Sequence, residues 1–574
     1  MTPRRLSWAV ALATFPLASL GAQQPSRAPS GRPTVPCAGQ PITDIVVYAD
    51  APTVANLQRY PKLAAIARAL HRTTRTEVIQ RFLLLERGDG CSEIRRAESE
   101  RILRAQPFIA DAELFIVANE IGGVDIEVRT SDEAALVLGG SVRARTPHVT
   151  SLLFGNANVN GEGVYASGWW NSGEGFRDGI GGRVIDYQFT GRPWVMAVQG
   201  EQASLGASWL AEWAHPFLTD LQRVGWRVRS GSSNGYSPLL QPDGTEVGVG
   251  LQRSFFDVGG IVRAGLPGRL SLFGGSLTGV DEKPGNRLVA ADSGMLRDMG
   301  PVPYVYTSRR TVRANALLGA RRITFRRVEG LDALTAFQDV PVGFQIGTLV
   351  GRSLPIAAQT QDLFVAGDLY TGFSRGASTL RLQAQGEGHR ELGSAIWDGV
   401  LTSARLTHSL RITRRARNQV SLEWSSGQRV RTPFQLLLGV PEAGVRGYEQ
   451  SFYAGGERLV LRTEQRYAHG NVLGLADAGV AVFADMGRQW RGDVPYGVTT
   501  PVKASLGVSL LAAVPPRSSR LWRADLAFPV TGGANARWTL GFTNADRTAF
   551  VFRSPRDVTQ AREITAPSSI FAWP

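Results

Sequence analysis

The chain has 574 residues, enough for more than one domain, and 65 of them are glycine. Its mean hydropathy is −0.09, and after the first 22 residues no apolar run reaches the ~18 residues of a membrane-spanning helix, which excludes a helical membrane protein. The formal net charge is +14, but the arginines that dominate it are scattered along the chain, so we expect no nucleic-acid partner.

The first residues have the pattern of a secretory signal peptide, which we assign to residues 1–22. A positive start, a short apolar run and small residues suited to cleavage occur in that order, as Arg4 and Arg5, Trp8 to Leu20, and Gly21-Ala22. Residues 23–41 are polar and rich in proline, so they predict a linker and not a continuing helix. The chain is therefore expected to be exported.

The chain has two cysteines, Cys37 and Cys91, and both precede the region of alternating residues described below. Because an exported chain enters an oxidising compartment, a disulfide between them is the favoured prediction. Two free, buried thiols are the alternative. Neither the spacing of the cysteines nor their neighbours indicates a metal site, and we expect no cofactor.

Residues 135–552 carry the strongest structural pattern, an alternation of apolar and polar side chains with a period of two. Successive side chains of a strand point to opposite faces of a sheet, so this pattern predicts strands with one apolar and one polar face. The clearest examples are Leu380 to Gln385, Lys503 to Leu510, Leu521 to Leu526 and Arg537 to Thr543.

A soluble β-sandwich also has alternating strands, but two observations favour a barrel. The polar faces carry paired charges, as in Arg462, Glu464 and Arg466, whereas the opposite faces are small or aliphatic. The pattern also persists over about four hundred residues, well beyond the length of a sandwich domain. Since only a closed barrel satisfies the backbone hydrogen bonds of strands in lipid, we predict an all-β transmembrane barrel of about 16 antiparallel strands.

Residues 42–131 predict a small α+β domain in front of the barrel. Its elements follow the order β-α-α-β-β, as Ile42 to Tyr48, Thr74 to Leu85, Ser92 to Leu103, Ile109 to Val117 and Val124 to Arg129. Thr74 is the predicted N-cap of the first helix, because Glu77 follows at the spacing of a capping box. Ser92 is the predicted cap of the second helix. Residues 50–70 fit this plan less well, and we treat them as an insertion or an additional helix.

These features together resemble the BamA/TamA superfamily of outer-membrane assembly proteins, which combine POTRA domains with a barrel. The predicted small domain, with Glu98 to Arg104 before Pro107 to Ile109, is similar to a POTRA domain, although this chain shows one such domain where BamA-like proteins carry several. Four further stretches are similar to barrel motifs of the family: Gly155 to Gly163, His215 to Thr219, Gly444 to Tyr448 and Phe483 to Gly487. The last two match the family's V-R-G-F/Y loop and F-x-D-x-G strand end in order and separation.

The resemblance implies that the V-R-G-Y loop folds back into the lumen of the barrel, against the strand that carries the second motif. The candidate site residues are Val445, Arg446, Gly447 and Tyr448 in the loop, and Phe483, Asp485 and Gly487 in the strand. Alternation independently places Asp485 on the polar, inward face of its strand. Because arginine offers a rigid fork of donors to a carboxylate, Arg446 and Asp485 are the predicted pair. Glu464, one strand away on the same face, is the rival partner.

The segment Gly372 to Gly376 fits G-x-S-x-G, the serine-hydrolase elbow. That elbow requires a helix after the serine, and here an alternating strand follows, so a hairpin turn is the better interpretation. The six histidines are scattered, and the sequence has no phosphate-binding loop. We therefore expect that the chain is not an enzyme.

The resemblance implies a protein of the cell outer membrane, with its N-terminal domain in the periplasm, that assists the insertion, assembly or translocation of other proteins. Its partners would be outer-membrane lipids, unfolded β-barrel or secreted client proteins, and periplasmic chaperones or accessory lipoproteins. The alternatives are a dedicated secretion pore of a two-partner system and a passive pore or scaffold. The alternation ends near Phe552, so residues 553–574 are predicted to form a periplasmic tail, unless the last strand is assigned wrongly.

Overall fold

The computed structural model describes residues 28–51, 72–120, 122–143, 148–172, 175–292, 295–440, 443–448, 453–531, 538–545 and 556–562. The predicted signal peptide, most of the predicted insertion and most of the predicted tail lie outside these residues. Among the described residues, no helix is long and apolar enough to cross a membrane.

The N-terminal domain is a four-stranded sheet with helices packed on one face. Its elements are β1 (Ala38–Asp50), α1 (Thr76–Gln80), β2 (Gly90–Ser92), α2 (Glu93–Ala105), β3 (Ile109–Ala118) and β4 (Val124–Asp132). The strands lie in the order β2-β1-β4-β3, and β1 runs parallel to β4. Alternate residues of β4, Val124, Ile126 and Val128, are buried against Ile102 and Leu103 of α2. The alternation thus directs one face of the sheet to the helices.

The predicted disulfide between Cys37 and Cys91 is confirmed. It closes a sequence separation of 54 residues and joins the residue before β1 to β2. Such a cross-link stabilises a small domain largely by restricting its unfolded chain.

One cap prediction for this domain is wrong, and the other is confirmed in position only. The first helix begins at Thr76 after Arg75, and Thr74 does not cap it. Instead, the backbone N–H and the hydroxyl of Thr74 each donate to the buried carboxylate of Asp132, at 2.7 Å. A tertiary partner thus replaces the local capping box. Ser92 does stand at the N-cap position of α2, but its side chain makes no capping hydrogen bond.

The predicted linker, residues 23–41, is also partly ordered. The segment 28–36 packs against the sheet face opposite the helices, where Arg32 forms ion pairs of 2.8 and 3.0 Å with Asp125 and Glu127. Thr34 forms a bridge with Val117 at the free edge of β3. The first strand then begins at Ala38, four residues before the predicted start.

The barrel follows directly. Its strands and those of its loops are β5 (Leu136–Arg143), β6 (His148–Asn156), β7 (Val164–Asn171), β8 (Gly179–Asp186), β9 (Val195–Ala203), β10 (Gly206–His215), β11 (Val224–Leu240), β12 (Glu246–Leu266), β13 (Arg269–Asp292), β14 (Met295–Pro301), β15 (Arg309–Glu329), β16 (Phe337–Ser353), β17 (Asp362–Arg375), β18 (Ser378–Glu391), β19 (Trp397–Arg411), β20 (Ala416–Gln428), β21 (Leu436–Leu437), β22 (Ala454–Gly455), β23 (Glu457–Val472), β24 (Ala476–Trp490), β25 (Lys503–Ala513), β26 (Leu521–Pro529) and β27 (Thr539–Ala545).

Neighbouring wall strands are antiparallel, and the wall closes between β27 and β5. The predicted number of about 16 strands is too low. In the described residues, β14 pairs only with β13, β21 and β22 pair with each other in a loop, and the other twenty strands form the wall. The estimate failed because it assumed strands of uniform length, whereas β5 to β10 have only 8 to 10 residues each.

The polar positions of the alternating pattern face the inside of the barrel, and the apolar positions face the outside. On β24, Asp477, Phe483 and Asp485 are buried in the lumen, whereas Val480 and Val482 are exposed on the outer surface. The same division holds on β25, where the alternate residues Leu506, Val508 and Leu510 face outward. The outer surface is therefore apolar and the lumen carries the charges.

The N-terminal domain is docked on one end of the barrel, which we call the proximal end; the other is the distal end. Arg104 of α2 donates two hydrogen bonds, of 2.9 and 3.0 Å, to the carboxylate of Asp339 on β16. Arg101 donates to the carbonyl of Leu218, in the turn after β10. The amide of Asn158, after β6, donates to the hydroxyl of Thr74 at 2.7 Å. These contacts join the domain to one wall strand and to two turns on other parts of the wall.

The same junction contains the carboxylate of Glu100, which must be ionised to pair with Arg104. Burial on its own raises the pKa of Glu100, but Arg104 and Arg96 outweigh burial and hold the pKa below its ordinary value of 4.5. A carboxylate with a lowered pKa contributes stability above its unfolded pKa and loses that contribution as the pH falls through its folded pKa. The arrangement of Glu100 and Arg104 is thus expected to weaken only below about pH 4.5.

We predict that Asp339→Asn loosens the docking, because it removes the barrel carboxylate that binds Arg104. The measurement is the distance distribution between spin labels at Ile94→Cys and Ile412→Cys, two exposed positions on the domain and on a proximal turn. The native cysteines are bonded to each other and do not react with the label. The distribution should broaden at pH 7 in Asp339→Asn, and in the parent below about pH 4.5. Asp243→Asn, in a distal loop, is the control, and an equal broadening in that variant would contradict the assignment.

Candidate functional site

The candidate site lies inside the barrel, where the long loop between β20 and β23 meets the inward face of β23 and β24. The loop spans residues 429–456, and its short strands β21 and β22 pair with each other. In register, Asp485 of β24 lies opposite Arg462 of β23, and Phe483 lies opposite Glu464. Two carboxylates on adjacent strands therefore face the lumen close together, as the alternation predicts.

Arg446 projects from the loop onto these carboxylates. Its Nε and Nη2 donate to the two oxygens of Asp485 at 2.7 and 2.8 Å, and its backbone N–H donates to the same carboxylate at 3.2 Å. Its Nη1 also donates to Glu464 at 3.2 Å. The two partners that the sequence left as rivals thus share one guanidinium, with Asp485 as the bidentate one. Asp485 is fully buried, so its charge depends on this pairing.

Glu464 belongs to a wider network of charges. Arg523 of β26 donates to both of its oxygens, at 3.0 and 2.7 Å, and Arg466 of β23 pairs with it as well. Arg523 also pairs with Asp525, two residues along the same strand, at 3.2 Å. The loop arginine is therefore one member of an alternating set of cations and anions that bridges β23, β24 and β26.

Aromatic and apolar contacts complete the position of the loop. The guanidinium of Arg446 stacks on the ring of Phe483 at 3.4 Å from its centroid, an arrangement that favours a cation. Val445 packs on Gly487, since a Cβ at Gly487 would come within 2.5 Å of Val445. The hydroxyl of Tyr448 donates to the carbonyl of Thr531 at 2.6 Å. The side chains of Val445, Arg446 and Tyr448 thus each have a contact within the barrel.

Gly447 is required for a different reason. Its φ is +90°, which residues with a side chain rarely adopt. This turn directs Arg446 toward the wall and Tyr448 toward the end of β26. The glycines of the two motifs therefore serve chain reversal at Gly447 and close approach at Gly487.

Sequence reasoning missed two contributors to the site, Arg523 and Arg462. Arg462 donates to the carbonyl of Gly444 at 3.1 and 2.6 Å and so holds the base of the loop. The inward alternation already placed Arg523 and Arg462 on polar faces. What the sequence lacked was the register of β26 relative to the loop, which brings Arg523 to Glu464.

The other two family-like stretches lie elsewhere, at the junction with the N-terminal domain. Asn158 lies in the first and contacts Thr74. In the second, the ring of Phe217 is buried beneath Arg263, and the hydroxyl of Thr219 donates to Glu98. These stretches position the domain and do not take part in the lumen site.

The G-x-S-x-G segment forms the end of β17 and the start of a hairpin turn, and no helix follows it. β17 ends at Arg375, β18 begins at Ser378, and these two residues pair across the turn. In the part of the chain that the structure describes, no group of three His, Cys, Asp or Glu side chains could hold a metal ion. The site as built holds a loop through ion pairs.

Part of the predicted C-terminal tail forms a helix. A short helix, α3 (Arg556–Ala561), lies inside the lumen, where Asp557 pairs with Arg458 of β23 at 2.6 Å. Val558 is buried among apolar side chains of the wall and loops. The expectation of a periplasmic tail is therefore wrong for these residues, because Asp557 in α3 and Arg562 just after it find opposite charges in the lumen.

Comparisons with known proteins add a likeness of overall shape. No family model matches the sequence, and no curated protein matches it. The structure is similar to those of BamA and CdiB. BamA from Haemophilus ducreyi lacking POTRA domains 1–3 shares 10% identity at a TM-score of 0.35, over 88% of this chain and 84% of that chain. CdiB from Escherichia coli shares 11% at 0.38, over 92% and 91%, and CdiB from Acinetobacter baumannii shares 11% at 0.34, over 88% and 74%. Likenesses of this size do not assign a family.

We predict that Arg446→Lys weakens the docking of the loop, because a point charge replaces the fork that binds Asp485 on two sides. Loss of hydrogen bonds to a charged group should cost on the order of 2 kcal/mol. The measurement heats samples to a series of temperatures before electrophoresis and records the temperature at which the fast-migrating, folded form disappears. That temperature should be lower for Arg446→Lys than for the parent. Arg414→Lys, on an exposed proximal turn, is the matched control and should leave that temperature unchanged.

A double-mutant cycle with Asp485→Asn makes this prediction specific. The cost of Arg446→Lys should be much smaller when Asp485 is already changed, since the two substitutions remove the same contact. Additive costs would contradict the pairing.

Proposed function

We propose that this chain is an outer-membrane β-barrel of the BamA/TamA type, which assists the insertion or translocation of proteins and catalyses no reaction. The observation that carries the proposal is the division of the barrel into an apolar outer surface and a charged lumen, into which a V-R-G-Y loop is bound. The apolar surface supports the membrane location, and the bound loop supports the family role.

The outer surface supports a location in lipid. Soluble monomers rarely expose contiguous apolar patches larger than about 300–600 Å². Here successive outward residues of adjacent strands are apolar and exposed, as in Val480 and Val482 on β24 beside Leu506, Val508 and Leu510 on β25. In a closed wall every strand finds a hydrogen-bonding neighbour, which is what lipid requires.

The lengths of the connections support the orientation. Barrels of the outer membrane have short turns on the periplasmic side and long loops outside. At the proximal end, two residues join β12 to β13, and two join β17 to β18. At the distal end, the loop between β20 and β23 spans residues 429–456. We therefore place the proximal end and the N-terminal domain in the periplasm.

The edge of β3 is the proposed docking place for a client strand, which would add to the sheet through backbone hydrogen bonds. One end of this edge is already used, because Val35 donates to the carbonyl of Ile116 at 2.8 Å and Thr34 bridges to Val117. A client would pair beside the earlier part of β3 or displace residues 34 and 35. Outer-membrane lipids, chaperones and accessory lipoproteins are the further partners in this proposal.

A dedicated secretion pore is the second candidate. The observation that favours it is α3, a short element held inside the lumen where a translocating chain would pass. An assembly factor needs no passage through the lumen, whereas a secretion pore does. The two functions therefore differ in whether the lumen must empty.

We predict that the mature protein fractionates with the outer membrane and migrates faster on unheated than on heated gels, as folded barrels do. Because the apolar surface is exposed all along the wall, recovery in the soluble periplasmic fraction would contradict the membrane location.

Depletion of the protein, followed by profiling of the outer-membrane and secreted proteomes, separates the two functions. An assembly factor predicts that several other β-barrel proteins decrease together. A secretion pore predicts the loss of one secreted protein while the barrels stay constant. If neither group changes, the proposed role in protein insertion or translocation is wrong.

A further inference from the structure

The helix α3 occupies an unusual place for a segment that follows the last strand of a barrel. β27 runs from the distal to the proximal end and finishes at Ala545. α3 nevertheless contacts Arg458, at the distal start of β23, and its neighbour Arg562 contacts Glu387 in the distal half of β18. Residues 556–562 therefore lie in the lumen, near its distal end.

The contacts of α3 reach strands that are far apart in the wall. Arg253 of β12 donates to the carbonyl of Gln560 at 3.2 Å. In the order of the wall, β12 lies five strands from β18, and β18 lies three strands from β23. Through Gln560, Arg562 and Asp557, the segment 556–562 thus touches all three strands and spans the lumen.

The lumen offers this segment a complementary set of charges. At its start, Asp557 binds the buried Arg458 at 2.6 Å and accepts from the backbone N–H of Leu437 at 3.2 Å. At its end, Arg562 pairs with the buried Glu387 at 3.1 Å. A wall cation thus meets the anion of the segment, and a wall anion meets its cation. This arrangement fixes one direction of the segment in the lumen.

An apolar contact adds to the ion pairs. Val558 is 1% exposed and packs in one cluster with side chains of the wall and of the distal loops, namely Leu401, Val430, Phe434, Leu436 and Val494. The same distal loop that carries Arg446 therefore also supplies part of the receptor for α3. The segment and the loop lie side by side within the lumen.

The segment buries fewer apolar side chains than the loop beside it. A helix of six residues is unstable by itself, so α3 depends on its contacts with the lumen. It has one well-buried apolar side chain, whereas the V-R-G-Y loop has Val445 and Tyr448 buried in addition to Arg446. Ion pairs that become exposed to water lose most of their strength. The segment can therefore leave while the loop and the wall remain in place.

We propose that residues 556–562 are a displaceable internal plug, which closes the lumen at rest and yields its place to an extended polypeptide that carries charges. This inference rests on the proposed membrane location of the barrel, but it does not depend on the identity of a client. An entering chain would exchange its own charges for those of Asp557 and Arg562 at the same wall residues.

The test is the conductance of the full-length protein in planar lipid bilayers. Asp557→Arg places two cations together at Arg458 and should raise the mean conductance several-fold. Arg458→Asp should do the same, and the double variant Asp557→Arg with Arg458→Asp should return the conductance to the parent level. Asp243→Arg, the same change of charge in a distal loop, should leave it unchanged.

Val558→Asp provides a second route to the same result, because it removes the apolar contact and leaves the wall intact. Each variant is first shown to be a folded barrel by its mobility on unheated gels. Folded, inserted Asp557→Arg and Val558→Asp variants with parental conductance would overturn the plug. Increased conductance without recovery in the double variant would overturn the pairing with Arg458. Failure of the parent itself to insert into bilayers would instead contradict the membrane location.

Discussion

Pairing of opposite charges at the wall of this barrel positions the loop, the N-terminal domain and α3. An apolar outer face leaves the inward face as the place for charged residues, as on β24. A buried charge is stable only when it is paired and hydrogen-bonded. Asp485 is fully buried and finds Arg446, while Glu464 is shared by Arg446, Arg466 and Arg523. The loop thus supplies the cation that the buried carboxylate of the wall needs, and the wall in turn fixes the position of the loop.

The same rule explains the other two attachments. The N-terminal domain meets the proximal end through Arg104, whose charge lies between Glu100 and Asp339. The helix α3 meets the distal half of the lumen through Asp557 and Arg562. In each place a segment brings the opposite charge to a wall residue. The ion pair then fixes where that segment lies. Each attachment has an arginine that donates to both oxygens of a carboxylate, and the loop and α3 differ in the apolar burial beside that pair.

Much of the architecture could be predicted from the sequence, because it depends on the alternation of apolar and polar side chains along each strand. The inward position of Asp485, the outward position of Leu380 and the disulfide between Cys37 and Cys91 follow from local or compartmental arguments. The number of strands could not be predicted, since it depends on how short each strand is. The cap at Thr74 failed because Asp132, distant in sequence, offered a better partner. The helix α3 was missed because its stability comes from the lumen and not from its own residues.

A disulfide between Val445→Cys and Gly487→Cys in intact cell envelopes would test whether the V-R-G-Y loop is bound inside the barrel. A Cβ at Gly487 would lie 2.5 Å from Cγ2 of Val445, so the two introduced thiols should meet. The native cysteines are already bonded to each other. If the loop is bound inside the barrel, this cross-link should form rapidly under mild oxidation. Val445→Cys should then not react with a membrane-impermeant maleimide added to whole cells. Ready labelling of Val445→Cys from outside, together with the absence of the cross-link, would contradict it.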